Sequence, residues 1–384
     1  MLNIDLIYNL SFYCVLWKIQ NLLLFNDYLI IKQSNTMLKY LLLISIFFFS
    51  CSNAKNKQRK DSIVFAKFPS DEAVTFKNFI KYENGAISRM YIRDTTLIVY
   101  DWRGKGGYFF YQYGLNSGSS IRKYIPHGRG KGSALGSLSA GLYKNELWMY
   151  DISLSKIIFS TLKEKSFAAD STAASRELTF SPDYYNIQFL DDSKIIANGN
   201  YQTPKKIQEL NLYSGKILAD YGIVDDIPKD VPFYAWKRYN EAFMEMKSTN
   251  DKIVLAHRLS DQIEIFDLKS RKSITVKGPE NYKAEFLSFK SHDGKDLITR
   301  NEKSRYAFTQ VMSTDKFIYV LYSGNNISGQ YIDYAKSLFV YDWQGKIIKR
   351  INFDRYVTGF TVSDDDKSLY AYDVISKHIV TAKI

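Results

Sequence analysis

The chain has 384 residues, of which 46% are hydrophobic, 24% charged and 16% aromatic, so it can bury a large core and is not a disordered tail. Seven Pro and 20 Gly exclude collagen-like and low-complexity classes, while 30 Tyr and 25 Phe favour β structure. Only Cys14 and Cys51 are cysteines, which excludes a disulfide framework and a cysteine-based zinc site. The net charge of +12 comes without a dense Lys/Arg stripe, so we expect no nucleic-acid partner.

The first informative segment is an apolar stretch that begins at Met37. Residues 37–51 read MLKYLLLISIFFFSC. The apolar run of about 10 residues suits the central region of a signal peptide and falls short of the ~20 needed to span a bilayer. Residues 37–50 resemble a bacterial lipoprotein signal peptide, and the end at 48–51 resembles its lipobox. This resemblance implies that a lipid is attached to Cys51, that the signal is removed before it, and that the membrane holds the protein through this anchor.

The segments on either side of this signal are interpreted from their polarity. Residues 51–61, CSNAKNKQRKD, have no apolar residue beyond Ala54, which predicts a flexible tether. Residues 1–36 mix charged residues with apolar stretches, which we interpret as an extension upstream of a true start at Met37. Two alternatives stay open: an ordinary buried Cys51 at the end of a core helix, and a membrane-associated leader in residues 1–36.

From residue 62 onward the sequence repeats a hairpin pattern. An apolar, β-rich run is followed by a short polar turn and a second such run. Six turns of this kind occur, centred on Asp94, Asn145, Asp192, Asp251, Asp315 and Asp365. Their regular spacing predicts an all-β, six-bladed β-propeller over residues 62–384. The alternative is a sandwich built from six unrelated hairpins, which seldom keeps so even a spacing.

The last repeat is incomplete and needs a strand from elsewhere. The fifth repeat supplies four strands between Phe308 and Phe353, whereas the sixth supplies three before the chain ends at Ile384. The apolar segment Ser62 to Phe68, SIVFAKF, precedes the first complete repeat. Because closing the ring removes exposed strand edges, we expect this segment to pair with the last blade.

The whole body resembles the TolB-like six-bladed propeller lipoproteins of Bacteroides-type bacteria. The lipobox, the six repeats and the stretch HGRGKG at 127–132 carry the resemblance. Gly128, Arg129, Gly130 and Gly132 match a Gly-Arg-Gly-Pro-Gly-Glu signature of such families, from which Lys131 and Ser133 depart. The resemblance implies an envelope-anchored protein, and the signature gives no catalytic role. Surface-export signals of such bacteria tend to be acidic, so the basic tether favours the periplasmic face of the outer membrane.

Loop composition indicates which face of the propeller meets a partner. Turns between second and third strands, and links between blades, lie on one face, and here they are rich in basic, glycine and aromatic residues. Such a surface suits sugars, peptides or anionic groups, since rings supply stacking area and arginine supplies paired donors. The predicted ligand- or partner-binding residues are Trp102, Arg103, Arg129, Lys131, Trp236, Arg238, Tyr239 and Arg258. Local packing of solvated loops is the alternative for any single loop.

Enzymatic patterns are weak in this sequence. It has four histidines, and a propeller lyase or metal-dependent hydrolase usually needs at least two that converge with carboxylates. His257 is the best single candidate. We therefore expect a lipid-anchored module that binds a glycan, peptide or protein partner, as a monomer with no cofactor, metal or catalytic residue. A hydrolase or lyase that uses the central channel is the alternative.

Overall fold

A computed structural model describes residues 61–137, 139–162 and 176–384. The proposed extension, the signal peptide, Cys51 and all but the last residue of the tether lie outside these residues. In the described part the chain starts with three short strands, β1 (Asp61–Val64), β2 (Asp71–Val74) and β3 (Lys77–Lys81). Six consecutive blades follow, and all six predicted hairpin turns lie between the first and second strands of a blade.

Blades 1 to 3 are antiparallel sheets of four strands each. Blade 1 contains β4 (Ile87–Arg93), β5 (Thr96–Asp101), β6 (Tyr108–Gly114) and β7 (Ser120–Pro126). Blade 2 contains β8 (Ser139–Tyr143), β9 (Glu146–Asp151), β10 (Lys156–Thr161) and β11 (Glu177–Thr179). Blade 3 contains β12 (Asn186–Phe189), β13 (Lys194–Asn198), β14 (Lys205–Asn211) and β15 (Ile217–Ile223). The helix α1 (Phe233–Tyr239) lies in the link to blade 4.

Blades 4 to 6 complete the ring. Blade 4 contains β16 (Ala242–Met246), β17 (Lys252–His257), β18 (Gln262–Asp267) and β19 (Ser273–Lys277), and an extra hairpin follows it, β20 (Phe286–Lys290) and β21 (Asp296–Arg300). Blade 5 contains β22 (Phe308–Ser313), β23 (Phe317–Tyr322), β24 (Ala335–Asp342) and the first part of β25 (Ile347–Val362). Blade 6 contains the rest of β25, β26 (Ser368–Asp373), β27 (His378–Lys383) and β3. The predicted strands of the fifth and sixth repeats are confirmed.

The second strand of a blade is buried on both sides because each blade packs between two others. In β5, TLIVYD, every residue after Thr96 is buried, and in β9, ELWMYD, every residue after Glu146 is buried. Such strands read as continuous apolar runs rather than as alternating ones. β-branched and aromatic side chains fit this environment well, which explains the composition of the chain.

Hydrogen bonds join the inner strands across all six seams between blades. In each case a polar side chain of one inner strand donates to a backbone carbonyl of its neighbour. The pairs are Tyr91 to Ala140 (2.7 Å), Ser139 to Ile187 (3.0 Å), Gln188 to Met244 (2.9 Å), Ser313 to Met246 (3.3 Å), Gln310 to Phe360 (3.2 Å) and Thr358 to Ile87 (3.0 Å). Buried carbonyls near the axis are thereby satisfied, and each blade is fixed in register with the next.

The N-terminal strands run along the outer edges of three successive blades. β1 pairs in parallel with β19 of blade 4, and β2 pairs in parallel with β25 in blade 5. β3 pairs antiparallel with β27 and completes blade 6. The expectation that Ser62 to Phe68 would pair with the last blade is therefore wrong. Phe65 and Phe68 instead pack against the core between blades 4 and 5, and the more polar β3 closes the ring.

Two insertions stand on the face that carries the blade links. Residues 233–239, FYAWKRY, carry three of the binding residues predicted from loop composition. They form the seven-residue helix α1 after Pro232 and not a loop. Helix α1 packs on the β20–β21 hairpin, where the Trp236 and Phe286 rings meet edge to face at 5.5 Å. Tyr239, Leu259 and Tyr306 form the buried centre of this contact. The insertions therefore build up one side of the face, above blades 3 and 4.

Candidate functional site

A cavity of about 320 Å³ opens where blades 3 and 4 meet below α1. We call it the seam pocket. Its lining includes Tyr185, Asn198, Tyr201, Lys206, Asp225, Asp226, Trp236, Lys237, Asn240, Glu241, His257, Asp261, Gln262, Lys277, Lys283 and Phe286. Three separate segments of one face contribute to this lining: the turn between β13 and β14, helix α1, and the link after β19.

Aromatic side chains form much of the pocket wall. Tyr185 and Tyr201 stack with ring centroids 6.5 Å apart. Tyr185 donates to the carbonyl of Ala242 and also accepts from its amide, at 2.8 and 3.0 Å. On the opposite element, the Trp236 indole donates to the carbonyl of Asp225 at 3.1 Å. These bonds orient rings that are only partly covered by protein, and rings of this kind offer flat apolar surface to a ligand.

A buried ion-pair cluster lies beside the aromatic wall. Lys206 Nζ lies 2.7 and 2.9 Å from the two carboxylate oxygens of Glu264, and 3.1 Å from Asp225 Oδ1. His257 Nε2 is 2.9 Å from Glu264 Oε1. Burial opposes the charge of Lys206, but the carboxylates of Glu264 and Asp225 outweigh it and raise the pKa of the lysine above its ordinary value. The pocket wall thus holds a compensated charge network.

Lys237 fastens α1 to blade 3. Its Nζ donates to the carbonyl of Thr203 at 2.9 Å and to those of Asn200 and Lys205. Three carbonyls use all three ammonium donors without supplying a counter-charge. Burial therefore lowers the pKa of Lys237 to about 8, although Asp220 acts in the opposite direction. This side chain therefore anchors α1 over the seam pocket, in addition to the packing of the helix on the β20–β21 hairpin.

The link after β19 is positioned by a buried carboxylate. Asp261 accepts hydrogen bonds from the backbone amides of Glu280, Asn281 and Tyr282 at 2.8, 2.9 and 3.1 Å. Burial raises the pKa of Asp261 even though these amides favour its charged form. The residues that follow, through Phe286, line the seam pocket. Asp261 therefore shapes one side of the pocket.

The charges around the seam pocket balance. Its lining contains four lysines, at positions 206, 237, 277 and 283, and four carboxylates, at positions 225, 226, 241 and 261. The formal charges of these eight lining side chains sum to zero, while Glu264, bonded to Lys206, is fully buried and lies outside the lining. In the part of the chain that the structure describes, no three His, Cys, Asp or Glu side chains are placed to hold a metal ion. The pocket offers stacking surface and mixed hydrogen-bond donors and acceptors.

A second cavity, of about 390 Å³, lies beside the seam pocket. We call it the arginine pocket. Its lining includes Arg238, Tyr239, Glu241, Arg258, Leu259, Phe289, Leu297, Ile298, Arg300 and Tyr306. Glu241 belongs to both pockets: Tyr201 donates to its Oε1 at 2.5 Å and Arg258 Nη1 donates to its Oε2 at 2.8 Å. This carboxylate therefore separates a charge-balanced cavity from one rich in arginine.

The structure brings four of the eight predicted binding residues together. Trp236 lines the seam pocket, and Arg238, Tyr239 and Arg258 line the arginine pocket. Trp102 and Arg103 lie on blade 1, where the guanidinium sits 5.0 Å from the indole centroid and both side chains are exposed. Arg129 and Lys131 are exposed in the link between blades 1 and 2. These four lie on the same type of turn or link but line neither pocket.

Several residues of the site are not among those predicted from the sequence. Lys206, Glu264 and Tyr201 form the seam pocket network, and Arg300 adds the third arginine of the other pocket. Glu264 carried a usable signal, since it is the one charge between apolar residues in QIEIF and so implies a buried partner. Arg300 gave none, because its position depends on how the β20–β21 hairpin folds back onto α1.

An ionisable pair also lies on the inner strands near the axis. Glu245 of β16 accepts from Gln188 Nε2 at 3.2 Å. Burial raises the pKa of Glu245 to about 7, although the positive charge of Arg89, on β4, acts to lower it. His257, the best catalytic candidate from the sequence, instead pairs with Glu264 on the wall of the seam pocket. The described residues therefore do not assemble His257 with carboxylates at the axis.

Comparisons with known proteins concern the fold. The sequence model of the family described as TolB-like 6-blade propeller-like matches residues 65–365. A solved member of the DUF4221 family from Bacteroides vulgatus is 11% identical, with a TM-score of 0.50 over 81% of this chain and 97% of that one. A putative exported protein from Bacteroides fragilis is 12% identical, with a TM-score of 0.49 over 84% and 98%. The search of curated proteins found no match.

Proposed function

This chain belongs to the TolB-like six-bladed propeller family, and from that premise we propose that it is a cell-envelope binding protein that holds an uncharged glycan in the seam pocket. The observation that carries the proposal is the composition of that pocket. Aromatic rings at Tyr185, Tyr201, Trp236 and Phe286 share a cavity with an equal number of lysines and carboxylates. No excess charge favours a strongly anionic or cationic ligand.

The chemistry of a sugar matches both parts of this wall. Its C–H face packs on aromatic rings, and its hydroxyl groups both donate and accept hydrogen bonds. Gln262 and Asn240 supply amide groups in the lining, and Lys283 and Asp226 supply charged ones. A cavity of about 320 Å³ lies at the lower end of the usual range for small-ligand sites, which suits one sugar residue or the end of a chain.

The placement in the cell envelope is supported by the sequence around Cys51 and by the basic tether behind it. Such an anchor would hold the propeller near a membrane. Among the described residues, no helix is long and apolar enough to cross a membrane.

A glycan array probed with the purified protein tests the binding proposal. We expect hits among neutral glycans, with binding that changes little as NaCl is raised. Trp236→Leu and Gln262→Ala should each weaken binding by about tenfold, since each removes a contact worth roughly one kilocalorie per mole or more. Trp102→Leu changes an exposed tryptophan on the same face and should bind as the unmodified protein does.

Thermal melting of each variant separates lost binding from lost folding. Both positions need this control, because Trp236 also packs on Phe286, and Gln262 Nε2 lies 3.3 Å from His257 Nε2 and donates to Glu264 Oε1 at 3.4 Å. An array with no neutral glycan hit, or equal losses in Trp102→Leu and Gln262→Ala, would overturn the assignment of the seam pocket.

A further inference from the structure

The arginine pocket combines three cationic side chains from three separate parts of the chain. Arg238 is in α1, Arg258 follows β17, and Arg300 ends β21. Within its lining the one carboxylate is Glu241, which gives a formal charge of +2. This excess contrasts with the balanced charge of the seam pocket next to it. Arginines that converge from separate elements repel one another, so a bound anion would relieve their repulsion.

The guanidinium groups are oriented by aromatic and polar contacts. Arg258 and Arg300 lie 5.7 and 5.2 Å from the centroid of the same ring, Tyr306. Arg300 Nη1 donates to the Tyr306 hydroxyl, and Arg258 Nη1 donates to Glu241. The buried Nε of Arg258 has no hydrogen-bond partner among the described residues. Arg258 and Arg300 are thus held in place, while one donor of Arg258 remains unmatched.

Apart from Thr299, the rest of the pocket is largely apolar. Leu259, Phe289, Leu297 and Ile298 line it together with the rings of Tyr239 and Tyr306. Tyr239 is itself fixed by a hydrogen bond to the carbonyl of Glu285. A bare inorganic ion would use the arginines and leave this apolar wall exposed to water.

We propose that the arginine pocket binds a small organic anion, with its carboxylate or phosphate on Arg238, Arg258 and Arg300 and an apolar body against Leu297 and Phe289. Arginine recognises both oxyanions through paired donors, and charge-assisted hydrogen bonds of this kind are the strong ones. The site is distinct from the seam pocket, and the proposal does not depend on glycan binding there.

Calorimetric titration at constant ionic strength tests this site with three probes: phenyl phosphate, benzoate and inorganic phosphate. Phenyl phosphate and benzoate should bind saturably at one site, and inorganic phosphate should bind more weakly because it lacks an apolar body. Raising NaCl should weaken all binding, since salt screens the attraction between exposed charges. The screening length is about 8 Å at physiological salt. The stronger of the two aromatic probes identifies the preferred oxyanion.

Arg238→Gln and Arg300→Gln should each reduce the affinity for the better probe by about tenfold or more. Both residues are exposed, so the variants should fold normally. Arg129→Gln removes an exposed arginine of the same face outside the pocket and should leave the affinity unchanged. Gln262→Ala, in the seam pocket, should also leave it unchanged, which separates this test from that of glycan binding. The absence of saturable binding, equal losses in Arg129→Gln, or inorganic phosphate binding as tightly as phenyl phosphate would each overturn the proposal.

Discussion

Ile80 lies directly opposite Ile379 in the ladder that joins β3 to β27, so residues from the two ends of the described chain meet in one blade. Both side chains are buried in the cluster that also contains Tyr82 and Tyr372. This contact turns an open series of blades into a closed ring. Its loss would expose the edge of β27 as well as an apolar surface.

Ile80→Ala should therefore lower the free energy of unfolding by about 2–5 kcal/mol, the usual cost of removing a buried large aliphatic side chain. Val64→Ala is the matched control, because Val64 lies in β1 of the same N-terminal segment but is 60% exposed. It should change the stability by no more than ~0.5 kcal/mol. Urea titration followed by circular dichroism measures both. Equal effects of the two substitutions would contradict the role given to Ile80 in closing the ring.

The closed ring also shows which parts of the fold can be predicted from the sequence and which cannot. The six hairpins were predictable because apolar runs and polar turns are local patterns, and each of the six turns is where the pattern placed it. The closing strand was not, because Lys77–Lys81 reads KNFIK and only Ile80 is fully buried. SIVFAKF is more apolar and is the segment that the sequence favours, although Phe65 and Phe68 pack between blades 4 and 5. Which edge a short strand joins depends on packing far away in the chain.

The candidate site, too, can be predicted only in part from the sequence. Loop composition identified the face and four residues that line its two pockets, because arginine and aromatic residues in loops are visible in a sequence. It did not separate Arg129 and Lys131, which lie apart, from Arg238 and Arg258. That distinction comes from α1 and the β20–β21 hairpin, whose packing through Trp236 and Phe286 creates the walls.

Glu245 makes stability depend on pH. Its ordinary pKa of 4.5 applies in the unfolded chain, and burial raises the pKa to about 7 in the folded state. Between these values the folded protein binds more protons than the unfolded one, so the free energy of unfolding falls as pH rises. The slope contributed by this group is at most about 1.4 kcal/mol per pH unit. Glu245's contribution is fully present below pH 4.5 and is lost by the time pH exceeds 7.

Glu245→Gln should flatten this part of the profile and leave the protein at least as stable as the unmodified chain at pH 7.5. Denaturant titrations at half-unit intervals from pH 4.5 to 8 measure the difference. Glu83→Gln, at a carboxylate with 60% side-chain exposure, is the control and should leave the shape of the profile unchanged. A Glu245→Gln profile parallel to that of the unmodified protein would show that this carboxylate keeps an ordinary pKa.

Cys51 is the residue on which the proposed membrane attachment depends. Cys51→Ala should abolish lipid attachment and processing, so the precursor should accumulate at its full length. Labelling with a radioactive or clickable fatty acid, followed by fractionation, measures both effects. Cys14→Ala is the control and should be labelled and processed normally, because Cys14 lies upstream of the predicted start at Met37. A labelled Cys51→Ala protein would place the lipid elsewhere.

The Lys206–Glu264 pair tests whether the wall of the seam pocket is held by charge. Lys206→Met would leave the Glu264 carboxylate buried with the weaker support of His257, and breaking a buried ion pair in this way costs about 3–5 kcal/mol. Lys206→Met combined with Glu264→Gln removes both charges and should recover much of that loss. We therefore expect the double-mutant cycle to give a coupling energy well above the ~0.5 kcal/mol within which substitutions at independent sites are additive. Lys144 and Asp192, a pair whose side chains are 63% and 72% exposed, provide the matched cycle and should give a much smaller coupling energy, because solvent screens their attraction. Similar coupling energies for the two pairs would mean that solvent reaches Glu264, and that the network does not shape the pocket.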